Sequence, residues 1–187
     1  MIKRKVKAKK KKVSKVRKRK NPFSNANDVA KYIENNSTSF QYLDSGAHAE
    51  IYKFKTNKKI VLNAEILLPG EYILKLLKSE YLYWKPKQID YLVKLSKYGL
   101  IPKIYIITKN YFIGRYINGY TLLEIKEKYD HDEIDNETFM EIDDKIDHLI
   151  YVWKELKFYH NDLHDENILI SKDLKHVYLI DPSPLNH

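Results

Sequence analysis

Residues 160–181 read HNDLHDENILISKDLKHVYLID. The first eight are polar apart from Leu163, and two short runs rich in Ile, Leu and Val follow, separated by a turn. Apolar, β-branched runs on either side of a polar turn are typical of a β-hairpin. The stretch therefore predicts a polar loop that leads into a hairpin ending on a carboxylate. Such a hairpin would place Asp162, Asn167 and Asp181 at one end of the same ribbon.

The order of these groups resembles the catalytic loop of the protein-kinase-like phosphotransferases, His-x-Asp-Leu-x-x-x-x-Asn, which a metal-binding Asp follows. In that chemistry the protein mainly positions groups and neutralises charge, with carboxylate and amide oxygens on magnesium. The resemblance implies that Asp162 is the catalytic residue that orients the acceptor hydroxyl. It also implies that Asn167 and Asp181 bind Mg²⁺ and, through it, ATP.

Two other interpretations of this loop remain open. A cluster of His, Asp and Asn is often only a solvated turn between strands. Alternatively, His160, Asp162 and His164 could be ligands of a transition metal in a metal-dependent hydrolase, since imidazole and carboxylate bind zinc and iron. Other segments are not rich in His and so offer no fourth ligand, and this interpretation leaves Asn167 without a role.

Composition limits the class of protein. The chain has 187 residues, a net charge of +9 and no cysteine. This length suits one domain or a small two-lobed one, and the absence of thiols is compatible with a reducing, intracellular setting. No apolar run approaches the about eighteen residues of a membrane span, and the N-terminus lacks the apolar stretch of a secretory signal. We therefore expect a soluble protein of the cytoplasm or nucleus, neither secreted nor membrane-bound.

The positive charge is concentrated at the N-terminus. Residues 1–20 contain 13 Lys and Arg and no acid, whereas the rest of the chain carries 21 basic and 25 acidic residues. Such a block repels itself and buries little apolar surface, so residues 1–27 are predicted to be a disordered tail. The tail could serve nuclear import, bind nucleic acid through its phosphates, bind an acidic partner, or only increase solubility.

Residues 39–53 predict a second hairpin around a turn of small residues. It resembles the loop Gly-x-Gly-x-x-Gly-x-Val, which closes over nucleotide phosphates in the kinase-like family. Aligned on Ile51, the chain retains only Gly46, with Asp44 and Ala49 at the other two glycine positions. The resemblance implies that Gly46 and Ile51 contact the nucleotide. The Asp44 carboxylate would be unfavourable near phosphates unless it faces solvent.

A lysine interrupts the apolar strand predicted over residues 71–78, which follows a Pro-Gly turn. A lysine is costly to bury without a partner, so it either extends to solvent or binds an anion. By the resemblance, Lys75 is the lysine that pairs with the α- and β-phosphates of ATP. Lys78, at the end of the strand, is the alternative.

The next helix is predicted over residues 87–97, between a proline and a glycine that suit its start and end. In the resembled family this helix carries a Glu that pairs with the strand lysine. Here that position is Gln88, which supplies no charge. Either Glu80 or Asp90 replaces the Glu or the ion pair is missing, and the second case would suit a pseudokinase.

The remaining pattern predicts strands over residues 104–108 and 111–117, and a helix over about 137–157 with a stripe of apolar side chains. The resemblance spans residues 40–183 and is greatest to compact atypical kinases of the Rio type and to small-molecule phosphotransferases. It implies a two-lobed α+β fold of the protein-kinase-like kind, with an N-lobe over 28–117 and a minimal C-lobe over 118–187. Since only six residues follow Asp181, a partner chain could complete this C-lobe.

From these residues we expect an ATP- and Mg²⁺-dependent phosphotransferase, specifically a serine/threonine protein kinase acting on a protein substrate. The alternative from another class is a kinase-like pseudoenzyme that serves as a binding module, held to nucleic acid or to an acidic partner by residues 1–20. The metal-dependent hydrolase is the third interpretation.

Overall fold

The computed structural model describes residues 25–45, 49–78, 84–157 and 162–181. Four α-helices lie in these ranges: α1 (Ala26–Asn36), α2 (Pro86–Tyr98), α3 (Leu122–Asp130) and α4 (Asn136–Glu155). A short 3₁₀ helix covers Asp165–Asn167. None of the helices in these ranges is long and apolar enough to cross a membrane.

Ten strands accompany them: β1 (Ser39–Ser45), β2 (Ala49–Thr56), β3 (Ile60–Leu62), β4 (Glu65–Leu67), β5 (Gly70–Leu77), β6 (Ile104–Ile107), β7 (Tyr111–Arg115), β8 (Gly119–Thr121), β9 (Ile168–Ser171) and β10 (Val177–Leu179). They form a five-stranded sheet in the order β1-β2-β5-β7-β6, a three-stranded sheet in the order β10-β9-β8, and the isolated pair β3-β4. Every pairing is antiparallel. The predicted α+β class is confirmed.

Several sequence-based predictions concern residues outside the described ranges. These are the basic tail over residues 1–20, Gly46 of the predicted phosphate loop, Glu80, and His160 of the proposed metal site.

The five-stranded sheet uses its two faces differently, because successive side chains of a strand point to opposite faces. On one face, Phe54, Tyr72 and Leu74 pack against Val29 and Ile33 of α1 and against the β3-β4 pair. Helix α1 presents this apolar stripe from a well-defined start, since Asn25 and Asp28 form a capping box. The opposite face, which includes Lys75, borders a cleft.

Helix α2 begins and ends where local signals place it. Pro86 occupies the first turn, where its missing N–H costs nothing, and Gly99 follows the helix with a φ of 73°. Glycine adopts this left-handed conformation without strain, and its N–H donates to Ser96 O. The helix covers residues 86–98, one residue more at each end than predicted. Leu92 and Leu95 are its buried side chains.

Helix α4 supports the predicted hairpin. Its buried side chains, spaced by three or four residues, are Ile142, Ile146, Leu149 and Trp153, and they belong to the same apolar cluster as Ile168 and Leu179 of the β9-β10 hairpin. The Asp135 side chain starts the helix by accepting a hydrogen bond from Thr138 N at 2.7 Å. The β9-β10 hairpin predicted from the sequence is confirmed.

A third strand that the sequence did not predict extends this hairpin. Strand β8 pairs with β9, and Gly119 lies opposite Ser171. A Cβ atom at Gly119 would lie 2.0 Å from Ile170 O, which is far inside van der Waals contact. Only glycine therefore lets β8 approach β9 this closely.

Candidate active site

A cleft of about 340 Å³ lies where residues of the two larger sheets meet. This volume is in the range of small-molecule sites, about 300 to 1,000 Å³. Most of its wall is apolar, with Ile51, Ile73 and Phe112 contributed by the five-stranded sheet and Leu169 and Leu179 by the three-stranded sheet. An apolar cavity with a few polar groups suits a ligand that has both a flat apolar ring and a charged part.

The lining of the cleft also includes charged side chains, among them Lys75 and Asp181. Lys75 of β5 is only 4% exposed, and its Nζ forms an ion pair with Asp181. Burial lowers the pKa of Lys75 to about 8, against the raising effect of the Asp44 carboxylate. Lys78, by contrast, is exposed. Lys75 is therefore the lysine whose ammonium faces the cleft.

Asp181 follows β10 in an unusual backbone conformation, with a φ of 51°. This left-handed region is uncommon for residues other than glycine, and such conformations cluster at functional sites. Ile180 N, just before it, donates a hydrogen bond to Asn167 O at 2.9 Å. This bond joins the end of β10 to the loop before β9, as expected if Asn167 and Asp181 share one end of the hairpin.

The loop before β9 is organised around Asn167, which is 7% exposed. Its Nδ2 donates to Asp162 O at 2.7 Å and lies 2.9 Å from His164 Nε2. The Asp162 side chain is 60% exposed, and its Oδ2 lies 3.7 Å from the same His164 nitrogen. The loop thus combines a solvent-facing carboxylate with a buried, oriented amide.

The donor atoms fit magnesium better than a transition metal. No described residue donates a hydrogen bond to Asn167 Oδ1. Amide and carboxylate oxygens are the hard ligands that Mg²⁺ prefers, so Asn167 Oδ1 and the Asp181 carboxylate suit it. Within the described ranges, no group of three or more His, Asp or Glu side chains could hold a metal. The hydrolase interpretation also needs His160, which lies outside those ranges.

Gln88 does not pair with Lys75. Its Oε1 accepts a hydrogen bond from Lys85 N at 2.7 Å and so caps the first turn of α2. Asp90, one of the two proposed replacements, is exposed on the same helix. The counterion of Lys75 in the described structure is Asp181 instead.

Asp44 lies near the charged groups rather than away from them. Its side chain is exposed, yet it lines the cleft and raises the pKa of Lys75. Strand β1 has a register shift between Tyr42 and Asp44, after which Asp44 lies opposite Ile51. From the sequence, this carboxylate was judged unfavourable near phosphates unless it faces solvent; in the structure it is exposed and also lines the cleft.

Two groups at the cleft were not identified from the sequence. Thr121 and Glu124 line it and form the capping box of α3, with Thr121 N donating to Glu124 Oε2 at 2.7 Å. The order Thr-x-x-Glu was a usable signal for this cap. Lys53 lies 3.6 Å from the ring centroid of Tyr116, which also lines the cleft. That contact joins β2 to the segment that follows β7, and it has no local signal.

Comparison with known proteins agrees with this architecture. The model of the RIO domain matches residues 73–184, more than half of the chain. The match includes Lys75, Asp162, Asn167 and Asp181 and begins after Ile51. A search of the curated proteins gives no match. RIO domains are kinase-like, and their family consists generally of atypical protein kinases that bind ATP with Mg²⁺. The predicted kinase-like fold is confirmed, and the chain belongs to the RIO domain family.

Proposed function

We propose that this protein transfers the γ-phosphoryl group of ATP, with Mg²⁺, to a serine or threonine hydroxyl of a protein substrate. The observation that carries the proposal is the buried ammonium of Lys75, which contacts Asp181 in a cleft whose wall is mostly apolar. A buried lysine in such a place is costly unless it serves to bind an anion. Membership of the RIO domain family supports the same activity.

The apolar walls would hold the adenine ring. Ile51 and Ile73 on one sheet and Leu169 and Leu179 on the other line the cleft, so a planar ring inserted between them would bury apolar surface on both faces. Residues 116–119, which connect the two sheets, would supply backbone groups at the ring edge. The aromatic ring of Tyr116 is held there by Lys53.

The polar groups would bind the phosphates and the metal. Lys75 would bind phosphate oxygens, and Asn167 Oδ1 and Asp181 would hold Mg²⁺. The ion, when bound, neutralises charge on the transferred group. These groups act by position and charge, so their pre-formed placement by β5 and the β9-β10 hairpin is their main contribution.

Asp162 would orient the acceptor. Its carboxylate is solvent-facing and lies on the same loop as Asn167, where it could accept the proton of an incoming hydroxyl as the Oγ–P bond forms and the bond to ADP breaks. An exposed carboxylate leaves room for a large acceptor such as a protein chain.

A second function is favoured by the departures around Lys75. Gln88 caps α2 instead of presenting a carboxylate to Lys75, and Asp44 adds negative charge near the phosphate position. Both features would suit a kinase-like binding module with weak transfer activity. Under this alternative, residues 1–20 would bind nucleic acid or an acidic partner through their 13 positive charges.

The two proposals are separated by incubating the protein with γ-labelled ATP and Mg²⁺, and by scoring autophosphorylation and transfer to generic protein substrates. Transfer by the wild type but not by Asp162→Asn supports the kinase. If both proteins bind Mg-ATP and neither transfers label, the binding module is the correct description.

A further inference from the structure

The side-chain amide of Asn167 has both of its hydrogens directed at protein acceptors. Nδ2 carries two hydrogens and no lone pair. One hydrogen reaches Asp162 O, at an N···O distance of 2.7 Å, and the other reaches His164 Nε2, at 2.9 Å. Because both hydrogens of Nδ2 have protein acceptors, Oδ1 is the amide atom that can bind a ligand.

This geometry also assigns the hydrogen-bonding role of His164. Because Asn167 Nδ2 only donates, His164 Nε2 serves as the acceptor in the 2.9 Å contact. The carboxylates of Asp162 and Glu166 lie 3.7 Å from His164 Nε2 and 3.6 Å from His164 Nδ1. The imidazole therefore lies between two carboxylates and contacts the amide of Asn167 directly.

We propose that His164 is a positioning residue that holds the Asn167 amide with its oxygen, rather than its nitrogen, toward the Mg²⁺ of the bound nucleotide. This inference rests on the proposed function, because that function requires Asn167 to bind Mg²⁺. Rotation of the amide by 180° would place Oδ1 against Asp162 O and against the lone pair of His164 Nε2. It would also offer the metal an NH₂ group, which cannot bind a cation.

The expected size of the effect follows from the two acceptors. Loss of a group that orients a metal ligand typically lowers metal affinity about 10- to 100-fold. In a His164 variant the backbone carbonyl of Asp162 would still hold one hydrogen of the amide. We therefore expect a loss of about 10-fold, at the lower end of that range.

The test measures binding rather than turnover, on the full chain. The dissociation constant of ATP is measured by calorimetry with Mg²⁺ and with EDTA, for the wild type, His164→Ala and His164→Gln. Mn²⁺ binding to the ATP complex is followed separately by electron paramagnetic resonance. His148→Ala is the matched control, because His148 is an exposed histidine on α4, outside this loop.

In His164→Ala we expect the gain in ATP affinity given by Mg²⁺ to fall about 10-fold, with metal-free ATP affinity unchanged. His164→Gln should recover most of this loss, since a glutamine oxygen can accept from Asn167 Nδ2. The His148→Ala protein should match the wild type. If His164→Ala fails to fold, as judged by thermal melting, His164→Leu takes its place as the variant without an acceptor.

Three results would overturn the inference while leaving the proposed function intact. The first is that Mg²⁺ raises the ATP affinity of His164→Ala as much as that of the wild type. The others are an equal loss of affinity with and without Mg²⁺ and no recovery in His164→Gln, each of which would give His164 a merely structural role. If instead the wild-type protein shows no Mg²⁺-dependent ATP binding, or Asn167→Ala binds Mg-ATP normally, the metal assignment itself fails and the inference falls with it.

Discussion

Replacing Lys75 with methionine should raise the free energy of unfolding of the nucleotide-free protein and weaken its binding of Mg-ATP. Burial lowers the pKa of Lys75 from 10.5 to about 8. Since each pKa unit corresponds to about 1.4 kcal/mol, a charged Lys75 costs the folded state about 3 kcal/mol near neutral pH. The contact with Asp181 offsets part of this cost. Methionine has a similar length and no charge, so it removes the cost and keeps the apolar contacts of the stem.

The outcome depends on what happens to Asp181. Removing one partner of a fully buried ion pair leaves an unpaired charge and typically costs about 3 to 5 kcal/mol. Here the Asp181 side chain is 41% exposed, so water can solvate it when Lys75 is absent. We therefore expect Lys75→Met to stabilise the nucleotide-free protein by about 1 to 2 kcal/mol. In a domain of this size that corresponds to a rise in Tm of about 2 to 8 °C.

The assay is thermal unfolding with and without Mg-ATP. Lys75→Met should melt higher than the wild type without ligand and should show little further stabilisation by Mg-ATP, because the phosphates have lost their cation. Lys78→Met is the control, since Lys78 is exposed directly after the same strand and should keep the response to Mg-ATP. A loss of more than about 2 kcal/mol in Lys75→Met would refute the reasoning, since the ammonium would then be a structural element. An undiminished shift with Mg-ATP would refute the assigned role in binding.

Four further predictions follow from the site and the fold. Asp162→Asn should keep Mg-ATP affinity within a few-fold while lowering phosphoryl transfer by about 100-fold or more, measured by radiolabel transfer. Asp181→Asn should abolish the Mg²⁺-dependent part of ATP binding, and an unchanged calorimetric titration would contradict that role. Gly119→Ala should lower the free energy of unfolding by about 1 to 3 kcal/mol in urea titrations, because its Cβ would meet Ile170 O. Deleting residues 1–20 should hardly change Tm but should remove any salt-dependent DNA or RNA binding, and equal binding with the same salt slope would contradict this.

The parts of the fold that could be predicted from the sequence depend on local chemistry. Pro86 and Gly99 limit α2 because each residue restricts its own backbone, so the predicted ends differ from the observed ones by one residue. The β9-β10 hairpin follows from two apolar runs on either side of a turn. Asp162, Asn167 and Asp181 were placed together for the same reason, since a hairpin returns the chain to the point where it began.

The features that the sequence did not predict depend on contacts between distant segments. The ion pair of Lys75 and Asp181 joins residues more than 100 positions apart, and no local pattern specifies such a pair. Strand β8 is three residues long, and its strand conformation depends on pairing with β9. Gln88 was aligned with a position that normally carries a charge, but its Oε1 accepts a hydrogen bond from the backbone N–H of Lys85 at the start of α2.

Gln88 alone therefore does not decide whether the protein is an active kinase. The function of the helix carboxylate in the resembled family is to hold the strand lysine, and here Asp181 already contacts that lysine. The cation that we propose to bind phosphate and the carboxylate that we propose to bind Mg²⁺ thus contact each other in the nucleotide-free protein, with the Asp44 carboxylate close by. ATP without metal would bring its phosphates toward both carboxylates, whereas Asp181 can release Lys75 to the phosphates once it binds Mg²⁺. The ion pair of Lys75 and Asp181 must open before Lys75 can bind the phosphates and Asp181 can bind Mg²⁺. Lys75→Met and Asp181→Asn should therefore each reduce the effect of Mg²⁺ on ATP affinity. Their effects should then be much less than additive in the double variant.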